Sequence, residues 1–151
     1  MDRPRPGWWI GALAGLTALL AGCVGHSRTD EDYGRKAAKT VEVAQSSVQT
    51  VLFTVDAIDD DQAFGPYLGR VIGQAEADAS AALDSFSVVQ PPSTTADDVR
   101  SEVDELVGDA VDLLAEARIA IRRSDGATVS GLRPQLEESL AALERFVEEA
   151  S

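Results

Sequence analysis

The sequence predicts an all-α protein whose main domain is an antiparallel up-down-up-down four-helix bundle. From about residue 33 to the end of the 151-residue chain, apolar side chains recur at every third or fourth position, which is the period of one helix face. Short polar, glycine-containing or proline-containing stretches interrupt this pattern at three places. Helices joined by short loops pack antiparallel, so four of them over residues 33–151 predict an up-down bundle.

The first two helices are predicted at about 33–60 and 66–89. The core positions of the first follow a 4-3-4-3 spacing: Ala37, Val41, Ala44, Val48, Val51, Val55 and Ile58. The second has a similar stripe: Leu68, Ile72, Ala75, Ala79, Ala82 and Phe86. Residues 59–66, with three aspartates, a glycine and a proline, end the first helix, and the Pro-Pro pair at 91–92 ends the second.

The third and fourth helices are predicted at about 96–123 and 128–150. Their core positions are Val99, Val103, Leu106, Ala110, Leu113, Ala117 and Ala120 in the third helix, and Leu132, Leu136, Leu140, Leu143 and Val147 in the fourth. We expect Thr95 to cap the third helix, with Asp98 at N3 in an aspartate version of the capping box. Pro134 leaves two possibilities: the fourth helix begins near 133, or an earlier turn is kinked there.

Small residues are frequent along the predicted seams, which favours closely spaced helices over a wide cavity. Gly65, Gly69 and Gly73 are four positions apart and would let a neighbouring backbone approach. Loose sequence at the start of a helix is the alternative, because each interior glycine costs about 1 kcal/mol in helix propensity.

Residues 1–22 have the features of a signal peptide. Arg3 and Arg5 outweigh Asp2 in the first six residues, and residues 7–22 are sixteen positions without a charge. As a helix this run spans roughly 24 Å, less than the ~30 Å hydrocarbon core of a bilayer. A weakly positive start, a short apolar run and small residues at its end indicate secretion, so we expect an N-terminal signal peptide before the bundle.

The motif Leu20-Ala21-Gly22-Cys23 lies at the end of this run. It resembles the lipobox of bacterial lipoprotein precursors, and the resemblance covers residues 1–23 only. It implies that Leu20, Ala21 and Gly22 are recognised by a dedicated signal peptidase. It also implies that Cys23 receives a diacylglyceryl group, with acyl chains such as palmitate, and becomes the first residue of the mature chain. The alternatives are an uncleaved short anchor and an ordinary signal peptide followed by an accidental cysteine.

The resemblance further implies a protein held by lipid on the extracytoplasmic face of the cell membrane. Two acyl chains, at ~0.8 kcal/mol per buried methylene, give a stable attachment, whereas one chain binds only reversibly. Cys23 is the only cysteine, so no internal disulfide is expected. Residues 23–32 are polar and lack periodicity, and we predict that they form the tether between the lipid and the bundle.

The net charge argues against nucleic acid as a partner. The chain has 13 lysines and arginines against 26 acids, a formal charge of −13. Residues 1–22 carry two arginines and one aspartate, a net +1, so the mature chain carries −14. Binding to phosphate backbones needs clustered basic residues, which such an acidic chain does not provide.

The sequence contains few groups for catalysis, and we expect neither enzyme activity nor a cofactor. The sole histidine, His26, lies in the predicted tether, so a Ser-His-Asp set cannot be assembled in the bundle. The Glu-x-x-His motifs of di-iron bundles and the Cys or His ligands of zinc sites are also missing from residues 33–151.

Three consecutive aspartates, Asp59, Asp60 and Asp61, are a weak candidate for binding a hard cation such as calcium. Their spacing differs from that of an EF-hand loop. Ion pairing with Arg122 and Arg123 is the alternative, because an up-down bundle brings the ends of its first and third helices to the same pole.

The strongest functional pattern is a row of acids on the third helix, each one residue before a predicted core position. They are Asp98, Glu102, Glu105, Asp109, Asp112 and Glu116. This row, called the acidic face below, would suit a basic protein partner or cations of the cell envelope. The alternative is a solvated flank whose repulsion is reduced by basic residues on adjacent helices.

A basic cluster, Arg35, Lys36 and Lys39, lies at the start of the first helix. Each basic side chain near an anionic leaflet contributes ~1 kcal/mol to the binding of a protein to the membrane, so membrane contact is one interpretation of the cluster. The acids Asp30, Glu31 and Asp32 lie just before the cluster and would oppose membrane contact, and simple ion pairing is the other interpretation.

The sequence therefore predicts a membrane-anchored extracytoplasmic lipoprotein that acts as a non-catalytic protein-interaction or scaffold module. Its partners would be the membrane lipid, through Cys23, and an envelope protein. The alternative function is a small-ligand or cation-binding envelope lipoprotein.

Overall fold

The computed structural model describes Ser27 and residues 29–60 and 65–150. This part of the chain is helical and contains no strand, which confirms the predicted all-α class. The helices, numbered in chain order, are α1 (Asp30–Asp59), α2 (Gly65–Ser87), α3 (Thr94–Arg122), α4 (Gly126–Gly131) and α5 (Arg133–Glu149).

Helix α1 begins earlier than its apolar pattern suggests. The Thr29 hydroxyl accepts a hydrogen bond from the Asp32 backbone N–H at 3.1 Å and so caps the helix. Acids fill the first turn, where the helix dipole favours negative charge. Residues 30–32, assigned to the tether from the sequence, are therefore helical, because a cap and favourable charges start a helix before any side chain is buried.

Helix α3 is capped by a different residue from the one predicted. Ser93, not Thr95, accepts the hydrogen bond from a first-turn N–H, that of Ala96. The predicted capping box was wrong, since Asp98 lies two positions beyond N3 when Ser93 is the cap. The Ser93 hydroxyl also donates to the Asp30 carboxylate at 2.7 Å, which joins the beginnings of α1 and α3.

The predicted fourth helix is two helices. After α3, Ser124 adopts a left-handed conformation (φ 58°) and Asp125 caps α4 through the Thr128 N–H. Pro134 then lies in the first turn of α5. Proline has no N–H to donate, and in a helix interior its ring clashes with the backbone of the preceding turn. It therefore fits the first turn of a new helix and not the interior of a longer one.

A single apolar core joins the helices. Its larger fully buried members are Tyr33, Val41, Val48, Val51, Val55, Ile72, Val103, Val107, Leu114, Val129, Leu136 and Leu143. Six of the seven core positions predicted for α1 are buried, and Ile58 is partly buried.

The buried face of α3 is rotated relative to the prediction. Leu106 and Leu113, both predicted core positions, are only partly buried, while Val107 and Leu114 are fully buried. The reason is the packing of α3, which contacts α1 and α2 extensively and α5 only lightly. The side of α3 that looks toward α5 is therefore incompletely covered.

Contacts near the helix ends show which ends of neighbouring helices lie next to each other. The rings of Tyr33 in α1 and Phe86 in α2 lie 5.0 Å apart, so the start of α1 meets the end of α2. A methyl group at Gly69 of α2 would lie 3.6 Å from Ile121, so the start of α2 lies beside the end of α3. In the described part of the chain, no helix combines the length and apolarity that a bilayer span requires.

Candidate functional site

The acidic face lies on the surface of α3. All six of its side chains, from Asp98 to Glu116, are exposed. Within the described residues, none of them forms an ion pair or a side-chain hydrogen bond. The interpretation in which basic residues of adjacent helices neutralise this row therefore has no contact to support it.

Two arginines of α3 contact α2. Arg118 pairs with Glu76 of α2 through its Nε and, at 3.1 Å, its Nη2. Arg100 donates to the Ser87 carbonyl at the end of α2 and lies 3.8 Å from Asp104. These arginines thus interact with groups outside the acidic face, which keeps its negative charge.

A groove of about 480 Å³ lies between α3 and α5. From α3 it is lined by the partly buried Leu106 and Leu113 and by Asp109, Asp112 and Glu116; from α5 it is lined by Gln135, Glu138, Ser139 and Ala142. This α3–α5 groove exists because α3 turns its buried face toward α1 and α2. Half of the acidic face is therefore one wall of a groove that also exposes apolar surface.

A second depression of about 320 Å³ lies nearer the start of α3. Val99 and Glu102 line it from α3, and Phe146 and Glu149 line it from the end of α5. The acidic face thus borders a depression at both of its ends.

The aspartates at the end of α1 contact α4 and α5. The Asp59 carboxylate accepts from the Ser130 hydroxyl at 2.6 Å and from the Arg133 guanidinium at 3.1 Å. The Ser130 bond, followed by the Arg133 bond, lowers the pKa of Asp59. Arg133 also pairs with Asp56 at 2.7 Å.

These contacts correct the partner expected for the aspartates. Asp59 pairs with Arg133, because the start of α5 meets the end of α1, and no contact joins Asp59 to Arg122 or Arg123 in the described part of the chain. Asp61 lies outside the described residues. Among those that are described, no group of three or more metal-ligating side chains comes together.

The basic cluster on α1 is engaged in ion pairs. Arg35 contacts Glu31 at 2.8 Å and Asp32 at 3.0 Å, and Lys36 contacts Asp32 at 3.3 Å. Lys39 pairs with Glu42 at 3.1 Å. The hydrogen bond from Lys36 is the largest cause of a lowered pKa at Asp32. Of the two interpretations of this cluster, ion pairing is the one with observed contacts.

The lipobox residues Leu20, Ala21, Gly22 and Cys23 lie outside the described residues. The nearest described residue is Ser27, which is buried and accepts a hydrogen bond from Lys36 Nζ at 3.0 Å. The chain is thus fixed against α1 only four positions after Cys23.

Sequence reasoning missed Tyr33 and the α5 side of the groove. Tyr33 is fully buried, and its hydroxyl has no hydrogen-bond partner in the part of the chain that the structure describes. Its position four residues before Ala37 extends the apolar stripe by one turn and could have predicted its burial. The groove residues Glu138 and Ala142 carry no such signal, since their role depends on how α5 lies against α3.

Comparison of the chain with family models, with curated proteins and with solved structures gives no match.

Proposed function

We propose that this protein is a lipid-anchored extracytoplasmic module that binds a protein partner through the acidic face of α3 and performs no catalysis. One observation carries the proposal: six exposed acids of one helix are unpaired within the described residues, and three of them line a groove with apolar surface. Neighbouring like charges at this spacing destabilise a helix by about 0.2–0.5 kcal/mol per pair. A basic partner would remove this repulsion, so the charge favours the bound state.

The anchor in this proposal is Cys23. It rests on the resemblance of residues 20–23 to the lipobox. Because Ser27 contacts Lys36, the lipid would attach close to the first turn of α1.

The finer architecture we propose is the antiparallel up-down-up-down bundle, with α4 and α5 together as the fourth element. Three contacts support it. Tyr33 lies against Phe86, Glu76 pairs with Arg118, and Asp59 pairs with Arg133. Each joins consecutive or neighbouring helices as antiparallel packing requires, and the hydrogen bond from Ser93 to Asp30 joins the beginnings of α3 and α1.

Charge reversal tests the docking surface. Replacing Glu102, Glu105 and Asp109 by lysine should abolish the crosslinks that the wild-type chain forms with an envelope protein in intact cells. The matched control reverses three exposed acids outside the acidic face, Asp84, Glu144 and Glu148, and should leave those crosslinks in place. Circular dichroism checks that both variants remain helical. Undiminished crosslinking of the first variant would contradict the proposal.

Cation binding at the end of α1 is the weaker alternative, because Arg133 and Ser130 already occupy the Asp59 carboxylate. Calcium titration with a thermal melt separates the two functions. Saturable binding to the folded state would raise the melting temperature with ligand concentration, and we expect no such rise.

A further inference from the structure

We propose that the α3–α5 groove binds a basic amphipathic helix of the partner protein. This inference rests on the proposed function and deepens it by naming the chemistry of the partner. It follows from three properties of the groove, which are its apolar base, the acids on both of its walls and the helical backbone that surrounds it.

The base of the groove is apolar and periodic. Leu106 and Leu113 are two helical turns apart, a rise of about 10 Å, and both are partly buried. Ala142 adds a small side chain from α5. A ligand helix with leucine-sized side chains at i, i+3 or i+4, and i+7 would match this spacing and cover the exposed part of both leucines.

The walls of the groove are acidic on both sides. Asp109, Asp112 and Glu116 belong to α3, and Glu138 belongs to α5. Of the described residues, no lysine or arginine lines the groove. A ligand must therefore carry basic side chains on both flanks of its apolar stripe, and charge complementarity would set its orientation.

The surrounding backbone favours a helical ligand. Both walls are α-helices whose interior N–H and C=O groups bond within their own helix, so an extended peptide finds no strand edge to pair with. A helix satisfies its own backbone groups. Moreover, its basic residues recur at the same three-to-four-residue interval as Asp109, Asp112 and Glu116.

The same charges make other occupants unfavourable. A second copy of this chain would bring an equally acidic surface to the groove, and each chain carries a formal charge of −13. An anionic lipid surface would be repelled for the same reason. A basic amphipathic helix is the occupant that both the charge and the apolar base favour.

The test uses a fluorescein-labelled synthetic peptide of about 18 residues, enough to span the groove as a helix. It carries leucine and alanine on one face and arginine on both flanks. A second peptide has the same composition in scrambled order. The full chain is held in phosphatidylcholine nanodiscs, empty nanodiscs serve as the blank, and fluorescence anisotropy measures binding.

The proposal expects saturable binding of the amphipathic peptide and clearly weaker binding of the scrambled one. Neutralising the groove with Asp109→Asn, Asp112→Asn and Glu116→Gln should weaken binding about tenfold, as the loss of several exposed ion pairs implies. Neutralising Asp84, Glu144 and Glu148 in the same way removes equal charge outside the groove and should change affinity little. Leu113→Ala, which leaves the charge unchanged, should also weaken binding.

Equal binding of both peptides, or an equal effect of both triple variants, would overturn the proposal in favour of general electrostatic attraction. Absence of saturable binding would overturn it as well. If the peptide fails while the lysine variant still abolishes crosslinking in cells, the groove inference is wrong and the proposed function stands. If the peptide binds as expected but crosslinking survives in the lysine variant, the groove inference stands and the proposed function is wrong.

Discussion

The guanidinium of Arg118 on α3 pairs with the carboxylate of Glu76 on α2, and this pair is partly buried, with 28% and 19% of the two side chains exposed. Glu116 precedes Arg118 by only two positions, yet residues two apart lie on opposite sides of a helix. One side of α3 is therefore fixed to α2 by a charge pair, while the other presents to the groove carboxylates that have no ion-pair partner among the described residues.

The Arg118–Glu76 pair should contribute to stability as a unit. Glu76→Gln and Arg118→Met are each expected to lower the melting temperature by a few degrees, because each leaves one partly desolvated charge without its partner. The double variant should lose less than the sum of the two single losses, and thermal melts of all four proteins measure this coupling. Additive losses would mean that the two side chains do not interact.

Tyr33→Phe is expected to stabilise the protein slightly. The hydroxyl is buried and has no hydrogen-bond partner within the described residues, so its removal should gain up to about 1 kcal/mol. The ring itself fills the core against Phe86, so Tyr33→Ala should cost about 3 kcal/mol. Urea unfolding gives both values. Marked destabilisation by Tyr33→Phe would show that the hydroxyl has a partner.

Alkaline pH should destabilise the protein through the same residue. Burial raises the pKa of Tyr33 above its ordinary value of 10.0; the positive charge of Arg100 opposes this shift, and the charges of Asp104 and Asp97 add to it. The folded state then keeps the proton that the unfolded state loses, so the stability is intact below the ordinary value and falls as pH rises through the raised pKa. The difference in melting temperature between wild type and Tyr33→Phe should widen in this range, and a constant difference would contradict the assignment.

Gly108→Ala should stabilise α3. A methyl group at this interior helix position would meet nothing within 4 Å, so the gain in helix propensity of about 0.5–1 kcal/mol is not offset by crowding. Gly126→Ala provides the contrast, since its methyl group would lie 3.3 Å from Ile58 in the first turn of a short helix. Urea unfolding should therefore show a larger gain for Gly108→Ala, and equal effects would contradict this.

Lipid attachment at Cys23 and removal of residues 1–22 can both be tested by replacing the cysteine. Cys23→Ala should abolish incorporation of labelled palmitate and leave residues 1–22 attached, because both lipid transfer and cleavage depend on the cysteine in precursors of this class. Mass spectrometry of the purified chain measures both effects, and His26→Ala is the nearby control that should process normally. Continued labelling of the Cys23→Ala chain would refute lipidation at this residue.

The helical class and most of the core could be predicted from the sequence, because the stripe in α1 repeats regularly from Ala37 to Val55. Boundaries set by single hydrogen bonds were harder to predict. Thr29 and Ser93 start their helices through local caps, and neither residue belongs to an apolar stripe. At Pro134 the sequence left two alternatives, and only the course of the backbone decides between them.

The acidic face could be predicted and the groove beside it could not. A stripe through Leu106 and Leu113 and one through Val107 and Leu114 both fit a helical period. Which of them is buried depends on where α1, α2 and α5 lie around α3. That arrangement is a tertiary property, so the partial exposure of Leu106 and Leu113 became evident only with the packing.

Under the proposed lipidation of Cys23, the contact between Ser27 and Lys36 would also limit how far the domain can stand from a membrane. With Cys23 in the bilayer, the four residues to Ser27 reach at most about 14 Å. The groove residues Leu106 to Glu116 lie 12 to 22 positions along α3 from Thr94, a rise of about 18–33 Å. An upright domain would then hold the proposed bound helix within roughly 20–45 Å of the lipid. The binding helix of a partner would then have to lie at this height above the lipid as well as carry basic charge. A longer tether would relax the requirement on height.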